Sequence, residues 1–80
     1  MALSEQTARE LLGITKGMQR VQPAMFSQKT PTQFIDDLLG NMSRSGGVGL
    51  VTERGAVAMN EIKANRTEAE EIVAGVMGLR

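Results

Sequence analysis

A glycine-rich stretch, SRSGGVGLVTERG from Ser43 to Gly55, is the part of the sequence that most resembles a catalytic loop. A phosphate-binding loop needs glycines whose N–H groups point at the ligand, a helix behind them and usually a lysine. No Gly-Lys-Ser/Thr follows here, the dinucleotide-type pattern lacks its last glycine, and the preceding segment has a helical pattern. The stretch is therefore predicted to be a hinge between helices. Its hinge glycines are Gly46, Gly47 and Gly49.

Other catalytic groups are scarce. The chain has no histidine and no cysteine, which removes the commonest general base, the thiolate nucleophile and the preferred transition-metal ligands. Asp36 and Asp37 are adjacent acidic residues, but no second acidic cluster is positioned to complete a metal site. We therefore expect no enzymatic activity, no metal and no cofactor.

Three basic residues, Arg9, Lys16 and Arg20, are spaced so that they share one face of a helix and could touch phosphate. The whole chain, however, carries nine basic and nine acidic residues and no net charge. Nucleic-acid binding depends strongly on an excess of positive charge. The sequence therefore disfavours a nucleic-acid partner without excluding one.

The first element that positions these residues is a predicted helix over about residues 4–21, within an N-terminal segment 1–22. Ser4 is a plausible N-cap, and apolar residues recur at three- and four-residue intervals until Pro23 ends the helix. Gly13 and Gly17 interrupt this stripe. Either they weaken the helix, or they let a neighbouring helix approach closely.

A connector over residues 23–30 leads to a short helix predicted at 31–43. Thr30 has the features of an N-cap, Pro31 occupies the first helical position, and Gln33 completes a capping box. The glycine-rich hinge, residues 44–52, follows.

The C-terminal segment 53–80 is predicted to be helical over about 53–78. Either one long helix runs from about 56 to 77, or two helices break near Asn65, where the apolar seam is interrupted. We expect the single helix, because neither proline nor glycine stands at the proposed break.

The fold class is therefore all-α, with two to four amphipathic helices joined by connectors that contain proline or glycine. Few aromatic residues and many methionines predict a loose core, so we expect an extended or partner-completed chain rather than an independent compact bundle. The apolar stripes are the predicted interaction surface. Its residues are Phe34, Ile35, Leu38, Leu39, Met42, Ile62, Ile72, Val73, Val76 and Leu79.

These features predict a small structural subunit that docks its stripes against protein partners or against copies of itself. A phage particle or a bacterial secretion-type apparatus fits this profile. The alternative is a small regulatory or adaptor protein that binds one protein or DNA target. No apolar run approaches the roughly 20 residues of a membrane span, so we expect synthesis in the cytoplasm, followed by incorporation into a larger particle if the first hypothesis holds.

Overall fold

The computed structural model of the 80-residue chain describes residues 2–46 and 53–79. These residues form helices and short connections without any strand, which confirms the predicted all-α class. The helices are α1 (Glu5–Val21), α2 (Pro23–Ser27), α3 (Pro31–Gly46), α4 (Glu53–Ala64) and α5 (Arg66–Met77). No helix in this described part is both long and apolar enough to cross a membrane.

The start of α1 follows the predicted capping. The Ser4 hydroxyl accepts a hydrogen bond from the backbone N–H of Thr7 at 3.2 Å, and Glu5 lies in the first turn. After α1 ends at Val21, the connector expected over 23–30 contains a further helix, α2. Proline at the first position of α2 is preorganised for a helix, so it starts a new turn as well as ending the old one.

The capping box of α3 forms as the sequence predicts. The N–H of Gln33 donates to the Thr30 hydroxyl, and the N–H of Thr30 donates to the Gln33 side chain, both at 3.1 Å. The helix continues beyond the predicted end at residue 43 as far as Gly46. The other two hinge glycines, Gly47 and Gly49, lie outside the described residues.

The single long C-terminal helix that we expected is wrong: α4 and α5 are separate helices that meet at Asn65. Asn65 leaves the helical region of the backbone (φ −129°, ψ 48°), and its side-chain amide donates to the carbonyl oxygen of Glu61 at 3.0 Å. The backbone N–H of Asn65 also donates to this carbonyl, at 2.9 Å, so α4 keeps its last helical bond and the chain changes direction at Asn65. The helix α5 therefore starts at Arg66, directly after Asn65.

The core lies where α1, α3 and α5 meet. Packing of α1 against α5 is the most extensive helix pair, followed by α3 against α5. Two buried threonines, Thr7 and Thr15, accompany the apolar residues, and the Thr15 hydroxyl donates to the Leu11 carbonyl at 2.7 Å. The main buried cluster contains Leu3, Leu11, Phe26, Phe34, Ile35, Ile62, Ala69 and Val73.

The helices pack more compactly than the predicted extended arrangement. The Cα radius of gyration is 12.1 Å, close to the value of about 11.6 Å expected for a compact domain of this length. Among the described residues, no buried side-chain nitrogen or oxygen lacks a hydrogen-bond partner. The chain thus forms a core of its own, and completion by a partner remains a hypothesis.

Two glycines are expected to respond in opposite directions to alanine. At Gly13, inside α1, an added methyl group would meet no atom within 4 Å, so Gly13→Ala should raise the free energy of unfolding by about 0.5–1 kcal/mol. Gly78 caps α5 with φ at +78°, so Gly78→Ala should lower it by about 1–2 kcal/mol. Urea unfolding of the two variants checks the signs. Destabilisation by Gly13→Ala would contradict the open space beside α1.

Candidate functional site

Most of the predicted interaction residues pack inside the chain. Phe34, Ile35, Ile62 and Val73 are buried, and Ile35 and Val73 are both 0 % exposed. These side chains therefore hold the helices together and do not present a surface to another chain. The partly buried residues that pack against this core include Leu38, Leu39, Ile72 and Val76.

The remaining two predicted residues lie at the periphery. Met42 is half-buried near the C-terminal end of α3, and Leu79 is 64 % exposed after the end of α5. The predicted surface is therefore not one continuous patch. Leu79 is its single exposed member, so a docking site needs residues beyond this predicted set.

An ion-pair network around Arg54 joins the start of α4 to α1. The Arg54 guanidinium donates to the Glu10 carboxylate, with its Nη2 at 2.9 Å from Oε1, and also to the Thr7 hydroxyl. Glu61 accepts a hydrogen bond from the backbone N–H of Ser4 at 2.8 Å. The charged groups of this network bind one another. They therefore hold α1 and α4 in position and do not act as reactive groups.

The same contacts set the acid response of the fold. Hydrogen bonding to Arg54 lowers the pKa of Glu10, and the hydrogen bond from the Ser4 N–H lowers that of Glu61, from an ordinary value of 4.5. A carboxylate whose pKa is lower in the folded state stabilises the fold above its unfolded pKa and ceases to do so as pH falls through the folded value.

We therefore expect the melting temperature to fall as pH drops below about 4.5. In Glu10→Gln, the side chain cannot ionise, so the acid-dependent loss should be smaller than in the wild type. Glu53→Gln is the matched control, because Glu53 is an exposed residue of the same helix as Arg54. If the melting temperature depends on pH equally in the wild type and in Glu10→Gln, the ion pair of Glu10 with Arg54 does not contribute to acid stability.

A second network ties α5 to α3. Arg66 donates from Nε to the Glu70 carboxylate at 2.8 Å and from Nη2 to the Thr32 carbonyl at 3.0 Å, and it also contacts Asp36. Asp37, the other member of the acidic pair, forms an ion pair with Lys29. The two adjacent aspartates therefore have separate structural partners. In the described ranges 2–46 and 53–79, no group of three or more His, Cys, Asp or Glu side chains is placed to hold a metal ion.

Two apolar grooves flank α1. The first has a volume of about 530 Å³ and lies between α1, α3 and α4. Its walls include Leu38 and Met42 of α3 and Ala58 of α4, and Arg54 also lines it. Residues 47–52, which connect α3 to α4 in the sequence, lie outside the described residues, so we base no docking site on this groove.

The second groove, called here the α1–α5 groove, has both walls within the described residues and a volume of about 420 Å³. Leu12, which is 36 % exposed, lies in its apolar part. The apolar lining consists of Ala8, Leu12, Ile72, Gly75 and Val76. The charged lining consists of Glu5, Arg9, Lys16 and Glu71.

Comparison of the chain with protein-family models, curated proteins and solved structures gives no match. The functional argument therefore rests on the grooves, the charges and the packing of this chain alone.

Sequence reasoning identified the residues of the α1–α5 groove only in part. Ile72 and Val76 belong to the predicted surface, whereas Ala8 and Leu12 do not. These two α1 residues lie beside the main apolar stripe at a spacing of four. The sequence therefore showed a second apolar stripe on α1. It forms the wall of a groove only because α5 packs beside it, which the sequence does not show.

Proposed function

We propose that this chain is a small, non-enzymatic docking subunit that binds other protein chains through the α1–α5 groove. The observation that carries the proposal is an apolar groove with exposed Leu12 inside it and charged residues around it. A groove of this kind suits the apolar face of an amphipathic helix. A phage particle or a bacterial secretion-type apparatus is the kind of assembly that the sequence favours.

The charge around the groove favours protein over nucleic acid. Glu5 and Glu71 line it together with Arg9 and Lys16. Arg9 also forms an ion pair with Glu5, four residues earlier on α1. A phosphate backbone would meet carboxylates at this surface, which opposes the counterion-driven binding on which nucleic-acid affinity depends.

Site-specific photo-cross-linking in cells that produce the chain tests the proposal. A photoreactive amino acid at Lys16, on the groove, should give a discrete adduct with another protein chain. The matched control carries the same amino acid at Asn60, an exposed position of α4 that does not line the groove. Equal adducts from both positions, or none from Lys16, would overturn the docking site.

A second candidate is the regulatory or adaptor protein that binds one target. It is favoured by the chain's own closed core, in which the buried side-chain polar atoms of the described residues have partners. The size of the cross-linked product distinguishes the two functions. An adaptor should yield a single one-to-one adduct, whereas a subunit of an assembly should also yield larger products that contain several chains.

A further inference from the structure

We infer that α4 and α5 are two parts of one helix, held in a bent form by a strap that consists of Leu3 and Ser4. When the strap is released, Asn65 becomes helical, and α4 moves away from the other helices into line with α5. The α1–α5 groove keeps its shape in both forms because α5 stays in place, so this switch is separate from the proposed docking function.

The joint consists of one residue, Asn65. Its backbone torsions (φ −129°, ψ 48°) lie outside the helical region, whereas its neighbours Ala64 and Arg66 belong to α4 and α5. The Asn65 side chain does not cap α5, so this helix starts without the bond that commonly stabilises a helix N-terminus. In a straight helix, the N–H groups of residues 66–68 would donate to the carbonyl groups of residues 62–64. A change in the torsions of Asn65 would therefore supply these backbone hydrogen bonds.

The apolar seam already has the arrangement that a straight helix needs. Ile62 lies before the joint, and Ala69 and Val73 lie after it at intervals of seven and four residues. These intervals place all three on one face of an uninterrupted helix. All three are buried in the bent form as well. The two helices therefore keep the phase of a single helix across the joint.

The strap connects the two sides of the joint. The N–H of Leu3 donates to the Glu68 carboxylate of α5 at 2.7 Å. The next N–H, that of Ser4, donates to the Glu61 carboxylate of α4 at 2.8 Å. In a straight helix Glu61 and Glu68 would stand about 10 Å apart along the axis, against about 3.8 Å between adjacent Cα atoms of the strap. The two hydrogen bonds therefore favour the bend at Asn65.

The strap is anchored in the core, and α4 is the helix that moves. Leu3 is 7 % exposed and belongs to the main buried cluster. Packing of α5 against α1 and α3 is the most extensive in the fold, whereas α4 packs less extensively against the same two helices. Arg54 adds a second connection between α4 and α1, through Glu10 and Thr7. Straightening breaks this connection too, so the straight form is the minor one while the strap is in place.

The straight form uncovers apolar side chains. A helix over residues 53–77 would be about 37 Å long, which exceeds the 32 Å of the folded chain in its longest direction. The α4 half would therefore extend beyond the other helices and take Ala58 and Ile62 out of the core. Both side chains are buried in the bent form, so the strap keeps an apolar surface closed.

Electron paramagnetic resonance between two spin labels measures the two forms. The chain has no cysteine, so the labels can be attached at two introduced cysteines, Val57→Cys and Gly75→Cys. Both positions are exposed, one in α4 and the other in α5. In a straight helix they would lie about 27 Å apart on the same face, whereas the bend brings them closer. The labelled chain should show mainly the shorter distance.

Removal of both strap acceptors should favour the straight form. In the double variant Glu61→Ala/Glu68→Ala, the N–H groups of the strap lose their partners. The fraction of molecules with the longer distance should then rise roughly tenfold. Glu53→Ala is the matched control, since Glu53 is an exposed glutamate in the first turn of α4. A double variant that keeps its helicity and shows the wild-type distances, or an equal rise in Glu53→Ala, would overturn the inference.

Substitutions at the joint give an independent measurement. Alanine favours a helix and glycine opposes one, so Asn65→Ala should raise the fraction with the longer distance and Asn65→Gly should not. Circular dichroism separates straightening, which keeps or raises helicity, from unfolding, which lowers it. If the strap variant unfolds, the two Asn65 variants decide the question. Equal distances in Asn65→Ala and Asn65→Gly would contradict a joint that becomes helical.

Discussion

Replacing Ile35 with alanine is expected to lower the free energy of unfolding by about 2–5 kcal/mol. Ile35 is 0 % exposed and belongs to the main buried cluster, on the helix that packs against α5. The substitution removes three carbon atoms and leaves a cavity that the surrounding helices fill only in part. A domain of this length has a total stability of about 4–12 kcal/mol, so the loss is a large share of it.

Urea unfolding followed by circular dichroism measures this loss. Ile14→Ala is the matched control, since Ile14 is the same residue type on another helix and is 46 % exposed. It should change the free energy of unfolding by much less than Ile35→Ala. Similar losses for the two variants would contradict the burial of α3 against the core.

The second large effect is expected at Phe26, the only buried residue of α2. Its ring meets that of Phe34 edge-to-face, with centroids 5.7 Å apart and planes at 80°. Phe26→Ala should lower the free energy of unfolding by about 3–5 kcal/mol, because it removes both the buried ring and the anchor of a helix too short to be stable alone.

Met25→Ala is the control for Phe26→Ala, because Met25 is the neighbouring residue of α2 and is 49 % exposed. A double-mutant cycle then isolates the ring contact. Phe26→Leu and Phe34→Leu keep apolar side chains, and their coupling should be about 0.5–1.5 kcal/mol. Additive losses would show that the two rings contribute only by their separate burial.

The local signals in the sequence predicted much of the secondary structure. The caps at Ser4 and Thr30 form where the side chains predict them, since a capping bond involves residues only three positions apart. The all-α class also follows directly from helical periodicity. These features depend on short-range chemistry, which a single sequence displays.

The break at Asn65 was harder to predict because the apolar positions on both sides of it stay in phase. Ile62, Ala69 and Val73 would share one face of an uninterrupted helix, and all three are buried in the observed pair of helices. Periodicity therefore gives the same pattern for one helix and for two. The interruption lies in the backbone torsions of Asn65, whose N–H and side-chain amide both donate to the Glu61 carbonyl, and apolar periodicity carries no information about such a local change.

The candidate site was predicted least well, because it depends on long-range packing. The most apolar helix faces form the core, because the free energy gained on burial grows with the apolar area removed from water. The α1–α5 groove is made from what remains at the edges of two helices distant in sequence. Arg54 illustrates the same difficulty, since nothing near it in sequence indicates its contacts with Glu10 and Thr7.

The extensive packing of α1 against α5 has a consequence for synthesis on the ribosome. At about 5–20 residues per second, translation needs roughly 2–9 s to proceed from the end of α1 at Val21 to the start of α5 at Arg66. Throughout that interval the nascent chain lacks α5, the helix against which α1 packs most extensively. We therefore expect the apolar face of α1 to stay uncovered during that interval, and the core to close only after α5 has left the ribosome.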